Sequence, residues 1–303
     1  ESAALNEVSL TSLTGRTFRG FLSGVINDQL SLKIITPQNE EVIYRFSPTE
    51  VSKLSFVDQE SDLIIDELIS LGNESAAIAL LEEVTQNRLP YISFLNTSQR
   101  KTFLILTNLY LGSSQELKAL RLAEILSRTL TDPISKKNLN DIILQCHFRL
   151  GEIDITTSLA REWCQQASLP TSSALGWNIL ASLAYDKEQW EEAIWIALHP
   201  ITFSSYLPVA YLPKCYTIAI ASYHEKDNTE MAEILFGEML NRKLPWPEDK
   251  RFLALYSHYD LLLKTTLSKT KSPERGLTPD KPPEIEQNLS IDDVRKLISQ
   301  PAS

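Results

Sequence analysis

Residues 177–200 read WNILASLAYDKEQWEEAIWIALHP. Trp177, Leu180 and Ala181 fall on one side of a helix, because residues three and four apart share a face. A polar hinge follows at Asp186 to Gln189, then an Ala-rich stretch with Ala193 and Ala197 four apart, and then Pro200. The stretch reads as two helices joined by a tight turn, closed by a residue that stops a helix. Whether it is one hairpin among many decides the fold.

The pattern does recur. Ala193 aligns with Ala77, Ala119, Thr156 and Ala232, and Pro90, Pro133, Pro170, Pro208 and Pro245 each stand where a second helix should already have stopped. Phe103, Leu106, Thr107 and Tyr110 precede Ala119 and Ala123, as Tyr216, Ala219, Ile220 and Tyr223 precede Ala232 and Phe236. The first unit keeps Leu68, Gly72, Ala77 and Leu81, and the third keeps Gly151. These spacings resemble the tetratricopeptide repeat, in which large residues pack inside each hairpin and a small one lets its helices cross closely. The period here is about 40 residues, longer than that family's roughly 34, so longer linkers or second helices are expected.

The resemblance implies a right-handed superhelix of α-α hairpins, about five pairs, whose first helices line a concave groove. Carried onto this chain, the groove positions are Lys101, Leu104, Asn108 and Leu111, then Asp141, Gln145 and Phe148. Asn178, Ser182 and Tyr185 follow, then Lys214, Thr217 and His224. Leu104 stands where some relatives place a lysine that clamps a terminal carboxylate, which disfavours that ligand. A helix over PEDKRFLALYSHYDLLLKTT is expected to cap the array.

Residues 8–57 have a different period. In RTFRGFLSGVIN, Phe18, Gly20, Leu22, Gly24 and Ile26 share one face, which is strand alternation. LSLKII, VIYRF and VSKLSFV follow between turn residues, giving five short strands. Gly20 and Gly24 supply places for a strand to bend. Val8, Leu10, Gly15, Gly20 and Leu22 make this segment similar to an Sm-like or SH3-like barrel. That likeness implies an RNA-associated or regulatory module as an alternative role. VSKLSF lacks the Arg-Gly pair by which Sm proteins contact RNA, and only Asn27 and Asp28 stand near the expected loop.

The chain therefore divides into 1–60, the small barrel; 61–267, the repeat array with its capping helix; and 268–303, a Pro-rich disordered tail. Within that tail Ile291, Val294, Leu297 and Ile298 form one stripe of a short amphipathic helix near 290–299, capped by Ser290. The tail helix and the barrel are candidate self-association elements.

A net charge of -10 argues against a general grip on nucleic acid or anionic lipid. No apolar run reaches the roughly 20 residues that span a bilayer. His147, His199, His224 and His258 are too scattered for a metal site, and no nucleophile elbow, phosphate loop or dinucleotide fingerprint is present. Cys146, Cys164 and Cys215 read as small buried hydrophobes, with a Cys146 to Cys164 bridge geometrically conceivable. Neither catalysis nor a cofactor is expected; the expected partner is a protein or peptide held by a noncatalytic scaffold. The chain starts at Glu1, consistent with a removed leader or a trimmed start, and exported relatives of this barrel-plus-repeat type point to a bacterial periplasm or envelope.

Overall fold

The computed structural model describes residues 7–36, 38–56, 60–166, 173–204 and 209–270. Five strands come first: β1 Glu7–Ser12, β2 Thr17–Ile26, β3 Gln29–Ile35, β4 Glu41–Phe46 and β5 Val51–Phe56. They form one antiparallel sheet in the order β4-β3-β2-β1-β5. Asn27 and Asp28 join β2 to β3 with φ of 50° and 58°, the left-handed pair that matches the twist of a two-residue hairpin. A Cβ on Gly20 would lie 2.3 Å from the Lys33 carbonyl oxygen, so only glycine fits between β2 and β3 there.

One expectation is overturned at Gly24. The register slips between Leu22 and Gly24, and Gly24 has φ of 133°. A bulge inserts one residue and reverses the faces beyond it. Val25 therefore packs on the core, while Ile26, expected beside Leu22, is 55% exposed.

Eleven α-helices follow among the described residues. They are α1 Glu60–Ser70, α2 Glu74–Arg88, α3 Thr97–Gly112, α4 Glu116–Thr129, α5 Pro133–Arg149, α6 Ile153–Gln166, α7 Leu175–Asp186, α8 Trp190–Phe203, α9 Leu212–Glu225, α10 Thr229–Asn241 and α11 Leu253–Thr270. Each of the first nine packs on the next along the chain; α3 also touches α5, and α7 touches α9. The sheet shares its core with the first pairs: the Arg88 guanidinium lies 5.0 Å from the Phe56 ring centre, and Gln99 Nε2 donates to the Leu54 carbonyl at 2.9 Å.

The five hairpins are built on the same turn. Asn73, Gln115, Glu152, Gln189 and Asn228 donate their N–H groups back to Leu68, Tyr110, His147, Ala184 and Tyr223 at 2.8–3.1 Å. Just before each donor stands a residue with positive φ: Gly72, Ser114, Gly151, Glu188 and Asp227. A left-handed residue followed by this long backward bond is the Schellman end of a helix. The carbonyl of each donor then accepts the first helical bond of the second helix, from Ala77, Ala119, Thr156, Ala193 and Ala232. Those five residues are fully buried. The sequence alignment thus corresponds to one turn geometry used five times.

The second helices stop before the expected prolines where these are described: α2 ends before Pro90, α4 before Pro133, and α10 before Pro245. Pro133 opens α5 instead, at the position where a missing N–H costs nothing. Pro170 and Pro208 lie outside the described residues. Pro200 does not end α8, which continues to Phe203, so the Ile196 carbonyl loses its helical donor and the helix persists on burial of Pro200 and Ile201.

Residues up to Phe252 form one compact unit and those from Leu253 onward a second. The helix expected from Pro247 begins at Leu253. Asp249 holds the preceding segment in a turn by accepting from the Arg251 N–H at 3.0 Å, and a 3-10 turn over Lys250–Phe252 follows. Within α11, Lys264 pairs with Asp260 at 2.6 Å. The tail helix near 290–299 lies outside the described residues.

Candidate functional site

The inner-face positions expected from the repeat come from α3, α5, α7 and α9, and the structure sorts most of them into two cavities. The first, about 740 Å³, brings together Asn108 of α3, Asp141 and Gln145 of α5, and Tyr211. The second, about 700 Å³, brings together Phe148 of α5, Asn178 and Ser182 of α7, and Lys214 and Thr217 of α9. Its outer wall is the segment Pro247–Phe252. Volumes of this size are typical of ligand-holding clefts.

In the first cavity, Asn108 donates from Nδ2 to the Leu104 carbonyl of its own helix at 2.8 Å. Asp141 accepts the Trp163 indole N–H at 2.6 Å; burial pushes its carboxyl above the ordinary aspartate range, against the opposing pull of that bond and of Lys137. Gln145 Oε1 accepts the Tyr211 hydroxyl at 2.8 Å. Tyr211 has φ of 66°, a conformation rare for a bulky residue. Its backbone is held by the neighbouring bridge of Ser173 to Ala210, with Ala174 N–H donating to Ala210 at 2.7 Å. Strain of this kind persists where the surroundings fix it.

Tyr211 also joins the two cavities, since the Lys214 ammonium lies 5.2 Å from its ring centre. Lys214 is exposed as a residue, yet desolvation of its ammonium and the nearby Arg149 guanidinium hold its pKa below the usual lysine range, with Asp249 pulling the other way. Asn178, Ser182 and Thr217 are buried. The Ser182 hydroxyl donates to the Asn178 carbonyl at 2.8 Å, and that of Thr217 to the Pro213 carbonyl at 3.0 Å.

Lys101, Tyr185 and His224 line neither cavity. Lys101 is exposed on α3; the Tyr185 ring packs against Trp190 at 4.8 Å and Phe252 at 5.5 Å. Leu111 is buried in the core and Leu104 packs against it. Sequence reasoning missed Tyr211 and the Pro247–Phe252 wall. The wall is a turn and a 3-10 segment without apolar periodicity; Asp249, two residues after Pro247, was the one turn signal available.

All three cysteines are free. Burial pushes the Cys146 thiol up to about 11 and the Cys164 thiol up to about 12, and drives Cys215 up as well, so none is poised as a thiolate. Among the described residues no group of three metal-ligating side chains converges, and no helix is long and apolar enough to cross a membrane.

Helix pairs on a repeated turn, preceded by a five-stranded antiparallel sheet, define a protein of stacked helical hairpins with an N-terminal β element. Solved structures similar to it include two of MamA. A crystal structure of MamA protein shares 14% identity over 60% of this chain and 90% of its own, with a TM-score of 0.43. A second MamA structure shares 15% over 59% of this chain and 94% of its own, with a TM-score of 0.44. No family model and no curated protein matches the chain.

Proposed function

We propose that this chain is a noncatalytic scaffold that holds a protein or peptide segment along the layer formed by α3, α5, α7 and α9. The observation that carries this reading is the pair of cavities lined by side chains of four successive first helices and joined through Tyr211. Stacked hairpins leave such a face open, because each pair uses its apolar sides on its neighbours. In the same reading the helix pairs wind as a right-handed superhelix, and the sheet curls at Gly20 and the Gly24 bulge into an Sm-like or SH3-like barrel.

The test is cross-linking in the native host followed by mass spectrometry, with wild-type chain beside the quadruple variant Asn108→Ala, Gln145→Ala, Asn178→Ala and Lys214→Ala. The scaffold reading expects a protein partner cross-linked to the wild type and lost from a variant that keeps its melting temperature. Equal cross-linking of a folded variant removes the groove from the account.

A further inference from the structure

The second cavity holds two polar groups that the protein itself leaves unanswered. Asn178 is 5% exposed; its N–H bonds the Ala174 carbonyl and its own carbonyl takes the Ser182 hydroxyl. Among the described residues, no hydrogen bond reaches its carboxamide, which lines the cavity. The carboxamide opens onto the cavity, so a ligand can take up its hydrogen bonds in exchange for water. A carboxamide presents a donor and an acceptor side by side, the complement of a main-chain amide.

Lys214 is the second group. It rests over the Tyr211 ring, and among the described residues no carboxylate forms an ion pair with it. Asp249 is engaged by Arg251 at 2.8 Å, and Arg251 reaches on to Asp186 at 2.9 Å, while Glu248 and Lys250 on the same wall carry opposite charges. Lys214 thus feels Asp249 only through space and makes no contact ion pair, in a chain whose net charge is -10. Partial desolvation makes an incoming anion more valuable there than at the open surface. Phe148, Ile218 and Phe252 supply apolar lining beside the two polar groups.

We propose that this cavity selects a peptide segment bearing an acidic side chain, its carboxylate on the Lys214 ammonium, an adjacent main-chain amide on the Asn178 carboxamide and an apolar neighbour against Phe148, Ile218 and Phe252. The proposal rests on the scaffold reading and narrows it to one partner chemistry. A basic segment repels Lys214, and a neutral one leaves it unpaired.

Fluorescence polarisation with the full chain tests it, using C-amidated, N-terminally fluorescein-labelled nonapeptide pools whose central residue is fixed as Asp, Glu, Asn or Lys. The remaining positions are randomised among Ala, Leu, Ser and Gln, so that no terminal carboxylate is offered. The Asp and Glu pools are expected to bind about tenfold tighter than the Asn and Lys pools, a preference that declines with salt. Lys214→Met is expected to shrink the preference below about twofold, and Asn178→Leu to weaken all pools about tenfold, with far-UV circular dichroism confirming folded chains. Equal binding of all pools that Asn178→Leu still weakens overturns the acidic preference and leaves the scaffold reading standing. Binding by no pool, or binding indifferent to both substitutions, overturns both.

Discussion

At residue scale, the hairpin turns concentrate local strain. Glu188 and Ser114 occupy left-handed backbone at φ of 60° and 58°, where Gly72 and Gly151 serve the equivalent turns without a side-chain penalty. Replacing either by glycine is expected to stabilise the chain by about 0.5 kcal/mol, the relief of strain exceeding the added freedom of the unfolded state, whereas Glu188→Val costs about 1–2 kcal/mol. Urea unfolding of the three variants checks the order. The Thr156 hydroxyl is a second case, fully buried and without a hydrogen-bond partner among the described residues, at a position that holds alanine in the other four hairpins. Thr156→Val keeps the shape and removes the unsatisfied oxygen, so it is expected to raise stability by about 1 kcal/mol; a loss of that size would show that the hydroxyl is answered in solution. Tyr211→Phe removes the bond to Gln145 and is expected to cost about 1 kcal/mol in the same assay. These residues also mark where the sequence is legible. Ala77, Ala119, Ala193 and Ala232 announce themselves by size and spacing, while the turn residue behind each is hidden wherever it is not glycine, because serine, glutamate and aspartate do not advertise a positive φ.

At the scale of elements, two helical glycines separate packing from propensity. A Cβ on Gly176 would meet the Trp163 ring at 2.6 Å and the Cys164 sulfur at 2.8 Å, so α7 lies against α6 only because that side chain is missing. Gly176→Ala is expected to destabilise by about 1–3 kcal/mol through overpacking. Gly237 in α10 has nothing within 4 Å, and Gly237→Ala is expected to stabilise by about 0.5–1 kcal/mol. Thermal unfolding that moves both variants in one direction would contradict this account of the α6 to α7 contact. The strands were readable because alternation names their faces, and the misplacement of Ile26 shows the limit: a bulge at Gly24 changes the count by one, and periodicity alone does not register an unpaired residue. The helix start displaced from Pro247 to Leu253 has a similar origin, since Asp249 engages the backbone locally and competes with helix formation.

For the compact unit ending at Phe252, five pairs on one turn geometry place α3, α5, α7 and α9 where their polar positions open into two cavities. Spacing named eight residues that line these cavities, among them Asn108, Gln145, Asn178 and Lys214, because equivalent positions of a repeat share an environment. Lys101, Tyr185 and His224 were not brought into those cavities, since spacing cannot foresee Phe252 and Trp190 claiming the Tyr185 ring. The most direct measurement is site-specific photo-cross-linking in the native host, with a benzophenone side chain placed at Asn108 or Lys214 on the inner positions and at Trp195 or Ile234 on exposed second-helix positions. The account predicts one protein adduct from the inner pair and none from the outer pair. Adducts from Trp195 and Ile234 with silence at Asn108 and Lys214 would contradict it.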